Sequence, residues 1–102
     1  MATIVVDWDG TFTLLPELLL NFMEAAKEKG HEVIICTMRY ESEKAEMANV
    51  EHLYEIYFTG RKAKKPFLDK LDIVPDIWID DNPQWIVSNI KNPFKEGEYT
   101  KQ

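Results

Sequence analysis

Positions 4 to 11 read IVVDWDGT, and the reading of this stretch decides the fold. Ile4, Val5 and Val6 are apolar and β-branched, as in a strand buried on both faces, yet Asp7 and Asp9 place two carboxylates at its end. Two anions so close repel, and taking either out of water costs more still. Whatever offsets that cost has to come from elsewhere in the chain.

Working outward, residues 16–30, PELLLNFMEAAKEKG, carry Leu18, Leu19, Phe22, Met23 and Ala26 at helical spacing, with Pro16 at the start and Gly30 as a stop. Residues 32–37 predict a second strand, and ESEKAEMANVEHL from Glu41 predicts a helix opening with acids and Ser42. Residues 54–58 predict a third strand. After RKAKKP comes a short helix, FLDKL, with Pro66 in its first turn. Residues 76–79 predict a fourth strand, closing in Asp80 and Asp81. A last helix follows from NPQWIVSNI, with Asn82 as cap and Pro83 at its first position. Residues 93–102 are polar and read as a loose tail of a single domain spanning 1–102.

Strands that alternate with helices in this way imply an α/β, three-layer Rossmann-like domain: a small, mainly parallel sheet flanked by helices on both faces. Ligands of such sheets sit beyond the carboxyl ends of the strands. The polar residues of this chain gather there. Asp7 and Asp9 end the first strand, Thr37 and Arg39 the second, and Asp80 and Asp81 the fourth, while Lys62, Lys64 and Lys65 follow the third.

Bulk properties narrow the function classes. The chain has 102 residues, 45% hydrophobic, with 12 basic against 18 acidic residues and a net charge of -6. That balance suits one soluble domain and carries no overall electrostatic footprint for nucleic acid or an anionic membrane. The single cysteine, Cys36, lies in the apolar run VIIC and reads as an inert core residue. No signal peptide and no membrane-length apolar run is evident, so the expected setting is cytoplasmic. The tryptophans Trp8 and Trp78 read as core, and His31 and His52 lack metal-ligand spacing.

Several carboxylates on one rim call for a hard cation with oxygen ligands, and Mg²⁺ uses one or two carboxylates while keeping several waters. A carboxylate can also attack phosphorus, a second acid two residues on can protonate the leaving oxygen and later activate water, and a hydroxyl with an ammonium can neutralise the transferring phosphoryl group. Residues of each type are present.

VVDWDGT, then the strand VIICT, a lysine before a helix and the strand WIDD, resembles the haloacid dehalogenase superfamily of phosphohydrolases, in motif order from about Ile4 to Asp81. The resemblance implies Mg²⁺ dependence and an aspartyl-phosphate intermediate. It implies that Asp7 is the nucleophile and a Mg²⁺ ligand, and that Asp9 is the general acid/base whose backbone carbonyl also serves the metal. Gly10 and Thr11 match the turn after the acids, and Thr37 matches the hydroxyl of the second motif. Thr37, Met38 and Arg39, with that turn, are the expected substrate contacts; Arg39 could equally form a surface ion pair with Glu41 or Glu43. The spacing of Phe67, Leu68 and Leu71 favours Lys64 as the motif lysine, while the Lys-Pro form keeps Lys65 open. Asp80 and Asp81 match the two-acid fourth motif, either one being the direct Mg²⁺ ligand. A receiver domain is disfavoured, because there the lysine follows the last acid, whereas here it precedes Asp80.

The gaps between motifs hold one helix and its turns, or a helix and a strand, and neither can house a cap domain. The chain therefore resembles the capless subclass. The expected activity is a Mg²⁺-dependent phosphatase. The expected partner is a phosphorylated substrate: a nucleotide, a nucleic acid end, a phosphoprotein or a small phosphate ester. A homodimer is compatible with so small a domain. A non-catalytic phosphate-binding module and a phosphotransferase using the same intermediate are the alternatives.

Overall fold

The structure, a computed structural model, describes residues 1–91 and 93–98. Four parallel strands form one sheet in the order β3-β2-β1-β4: β1 Thr3–Val6, β2 Glu32–Thr37, β3 Ile56–Phe58 and β4 Ile77–Ile79. Ile4, Val5 and Val6 sit opposite Val33, Ile34 and Ile35 on one side and Ile77, Trp78 and Ile79 on the other. Being flanked by both neighbours explains why β1 is apolar at consecutive positions. The chain lays down three strands in one direction and then crosses to the far side of β1. The strand order therefore reverses between β1 and β4, the place where such sheets open a crevice.

Strand alternation sends each apolar residue to one of two cores. Ile4, Val6, Val33 and Ile35 face helix α1 (Pro16–Glu28) through Leu19, Met23 and Ala26, joined by Met47, Val50 and Tyr54. Val5, Ile34 and Cys36 face the opposite layer, where Leu68 of α2 (Lys64–Asp69) is buried with Phe67, Ile73 and Trp78 beside it. A last short helix, α3 (Gln84–Val87), lies against α2. Burial pushes the Cys36 thiol up to about 12, which leaves it an inert core group. No helix among the described residues is long and apolar enough to cross a membrane.

Two features depart from the periodicity. Helix α1 buries Leu19, Met23 and Ala26 but leaves Leu18 and Phe22 exposed, together with Leu14 and Leu15 ahead of it. The segment from Glu41 is not an α-helix. It forms two short 3-10 turns, Glu41–Glu43 and Ala45–Met47, which then run into irregular turns that bury Met47 and Val50. The reason lies in competing hydrogen bonds. Arg39 Nη1 donates to the Glu43 carbonyl at 2.7 Å, the group an α-helix would offer to the amide of residue 47. The Met47 amide turns to Lys44 O at 2.8 Å instead. The predicted third strand also shortens at its start, since Tyr54 is given to the core and only the Glu55 carbonyl joins the ladder, accepting from the Ile35 amide.

Arg61 fastens this side of the molecule. Its guanidinium, almost fully buried, bonds both oxygens of Glu43 at 2.8 and 2.9 Å, the Met38 carbonyl at 3.1 Å, and the Phe94 and Lys95 carbonyls at 3.0 and 2.8 Å. Gly97 N adds a bond to Glu43 at 2.9 Å, so residues 94–97 are held against the Tyr40–Glu43 loop. The rest of the expected tail, residues 99–102, lies outside the described residues. Replacing Arg61 by Met should remove both bonds from its guanidinium to the Glu43 carboxylate and lower stability by about 3 kcal/mol or more, read from the midpoint of urea unfolding.

Candidate functional site

Beyond Val6 the backbone of Asp7 stays extended, and its amide donates to Ile79 O at 2.9 Å, so the pairing of β1 with β4 sets Asp7 beside Asp80 and Asp81. The next residues must turn at once. The Phe12 amide returns to Asp7 O at 3.2 Å and the Thr13 amide to Trp8 O at 3.1 Å, closing one wide turn over Trp8–Phe12. Gly10 sits in it with φ +84°, and a Cβ there would stand 2.3 Å from Asp81 Oδ2. Glycine is required twice, for the left-handed backbone and for the room the carboxylate occupies.

The carboxylates of Asp7, Asp80 and Asp81 each bring an oxygen within 4.8 Å of the others. Lys64, the first residue of α2 and only 2% exposed, places its ammonium between two of them, donating to Asp7 Oδ1 at 2.7 Å and Asp80 Oδ2 at 2.6 Å. The other Asp80 oxygen accepts the Asn82 amide at 2.9 Å. Thr11 links the remaining pair: its hydroxyl lies 2.9 Å from Asp7 Oδ2 and 3.2 Å from Asp81 Oδ1, and it accepts the Asp81 amide at 3.0 Å. Burial pushes the Asp7 carboxyl up to about 7, with Asp80 adding to the rise and Lys64 opposing it. Burial alone would lower the Lys64 pKa, but the charges of Asp7 and Asp80 outweigh it and hold the ammonium above its ordinary value.

One ammonium among three carboxylates leaves two negative charges when all are ionised, the charge that one divalent cation balances. The donors are all oxygens, and the one nearby thiol, Cys36, is buried and inert. This donor set fits a hard cation such as Mg²⁺.

The other predicted residues fall into two groups. Thr37 ends β2, buried, with its hydroxyl accepting the Arg39 amide at 3.2 Å. Met38 is buried and gives its carbonyl to Arg61. Arg39 is no surface residue: Nε and Nη2 grip both oxygens of Asp9 at 2.9 and 2.7 Å, and Nη1 reaches Glu46 at 2.8 Å. The Asp9 carboxylate is thus clamped apart from the three converging acids, and the Asp9 bond is the main cause holding the Arg39 pKa above its usual range. Lys65 points away, exposed and paired with Asp69 on its own helix at 3.2 Å, so Lys64 alone of the two enters the site.

Glu46 and Arg61 are not among the residues that the sequence singles out, and Glu43 enters there only as a surface partner for Arg39. The acids sit in a segment whose composition predicts a helix, and Arg61 in a lysine-rich run; its one signal is being the lone arginine of that run, directly after Gly60.

Gly10→Ala should lower stability by about 1–3 kcal/mol through strain and displacement of Asp81, measured by thermal or urea unfolding. A pH dependence follows as well. A carboxyl raised from 3.8 to about 7 on folding contributes stability that is fully present below pH 3.8 and lost as the pH climbs through 7. The melting temperature of the metal-free protein should therefore fall between about pH 4 and 7, and Asp7→Asn should flatten that slope. No family model, curated protein or solved structure matches this chain.

Proposed function

We propose that the chain is a Mg²⁺-dependent phosphatase that hydrolyses a phosphate monoester through a phosphorylated Asp7, as a capless member of the haloacid dehalogenase superfamily. The observation that carries this reading is Lys64 Nζ, buried and shared between Asp7 and Asp80 at 2.7 and 2.6 Å, with Asp81 alongside at the crevice between β1 and β4. A structural ion pair needs one carboxylate per ammonium; here Lys64 bonds two and a third, Asp81, converges on them, an excess of negative charge that supports reading the site as one that also takes a cation.

Asp7, Asp80 and Asp81 would hold the Mg²⁺, which when bound supplies positive charge against the oxygens of the transferring phosphoryl group. The chain's own groups do the rest. A carboxylate oxygen of Asp7 attacks phosphorus, the bond from phosphorus to the ester oxygen breaks, and Asp9 gives the leaving oxygen its proton. In the second half Asp9 takes a proton from water. The water oxygen attacks phosphorus, the bond from phosphorus to Asp7 breaks, and phosphate leaves. Lys64 and Thr11 hold Asp7 from its two oxygens, which fixes the direction of attack. Thr37, at the end of the adjacent strand β2, supplies a hydroxyl on the same rim.

One observation favours a second reading. Both oxygens of Asp9 are engaged by Arg39, so a module that binds a phosphorylated ligand without turning it over needs no rearrangement, whereas catalysis needs Asp9 released.

Phosphate release from an aryl phosphate ester decides between them. With Mg²⁺ the wild-type chain should turn the ester over, Asp7→Asn should abolish turnover, and Asp9→Asn should slow it by about a hundredfold or more. Undiminished turnover in Asp7→Asn rules out the mechanism. Mg²⁺-dependent phosphate binding with no turnover across a broad ester panel establishes the binding module.

A further inference from the structure

Where the strand order reverses, a cleft of about 210 Å³ opens directly beside the acid cluster. Asp80 and Asp81 line it together with Leu14, Leu15, Leu19 and Ile79. Leu14 and Leu15 are 66% and 48% exposed, and Leu18, one turn along α1, is 63% exposed. Exposed leucines scattered singly need no explanation, but these adjoin one another and two of them line a cleft that ends in carboxylates. Leu15 carries a second anomaly. It stands at the N-cap of α1 with no side-chain cap bond, where Ser, Thr, Asp or Asn would stabilise the helix by bonding its open amides. The sequence keeps an apolar side chain there at the helix's expense.

We infer that this cleft receives the apolar portion of the phosphorylated ligand, an aryl or alkyl group carried on the ester oxygen, with Leu14 and Leu15 as specificity-determining contacts. This rests on reading the acid cluster as a phosphate-ester site. A cavity of about 150 Å³ accommodates a benzene ring, so 210 Å³ has room for a ring and its linking carbons. Charge selects a small ester over a second copy of the chain. With a net charge of -6, a second copy would press further negative charge towards Asp80 and Asp81. A small ester instead lays its apolar end on the leucines while its phosphate meets the cation and Lys64.

The test compares two phosphonates, 2-phenylethylphosphonate and ethylphosphonate, titrated calorimetrically into the full chain with Mg²⁺, alongside turnover of the two corresponding phosphate esters. Both esters have primary alcohol leaving groups, so a difference between them reports binding of the ring. The wild-type chain should favour the phenylethyl compound by on the order of tenfold, in affinity and in kcat/KM. The double variant Leu14→Ser, Leu15→Ser should bring both ratios close to one. Leu15→Ser supplies the missing cap, so the loss will not trace to a weakened helix. Equal affinities in the wild type, failure of both phosphonates to bind, or a preference that survives the double variant overturns the inference. A dimer dissociated by that variant, with no phosphonate preference, assigns the face to a second copy instead. Turnover of both esters without preference leaves the phosphatase reading standing while the subsite falls. A binding preference with neither ester turned over does the reverse.

Discussion

The ammonium of Lys64, buried between Asp7 and Asp80, is the contact on which the rest of the arrangement depends. It joins the first residue of α2 to the ends of β1 and β4, so the helix layer and the centre of the sheet are locked at the rim rather than through apolar packing alone. Without it, two carboxylates brought together by strand pairing would face each other across a few ångströms in a dry setting. With it, the pairing of β1 with β4 becomes compatible with acids at both strand ends. The third acid, Asp81, is accommodated by Thr11 and by the missing side chain of Gly10.

A second polar system lies on the other side of the Asp-Trp-Asp segment. Arg39 and Arg61 satisfy Asp9, Glu43 and Glu46 and the carbonyls of four residues between them. Their effect is to replace helical hydrogen bonds by side-chain ones in the stretch after β2. That stretch is consequently shaped by two guanidinium forks, whose rigid planar geometry suits such bidentate contacts. Residues 7 to 9 are one backbone link between the two systems, with Asp7 in the acid cluster, Asp9 held by Arg39, and Trp8 between them.

The fold was legible where burial on both faces forced a simple pattern. The β-branched runs of β1 and β2 announced central strands, Pro16 and Gly30 bracketed α1, and acids at strand ends pointed to one rim. What was not legible depended on partners distant in sequence. The segment from Glu41 has helical composition, but whether the Glu43 carbonyl goes to the residue 47 amide or to Arg39 is a tertiary decision. In the site, strand-end position identified Asp7, Asp80 and Asp81, because parallel pairing brings such ends together whatever the side chains. Between Lys64 and Lys65 the sequence left both open; in the structure Lys64 bonds Asp7 and Asp80 while Lys65 pairs with Asp69. That Asp9 would turn to Arg39 had no local signal, since the two are 30 residues apart.

Trp8 gives the arrangement an optical consequence. Its indole is 3% exposed, stacked on Phe12 with ring centroids 4.7 Å apart, and its N–H has no hydrogen-bond partner among the described residues. The indole is buried, and its backbone lies between Asp7 of the acid cluster and Asp9, the residue that Arg39 grips. Trp78, on β4, and Trp85, in α3, are more exposed. The chain therefore carries a buried intrinsic fluorophore directly between Asp7 and Asp9 in sequence, stacked on Phe12.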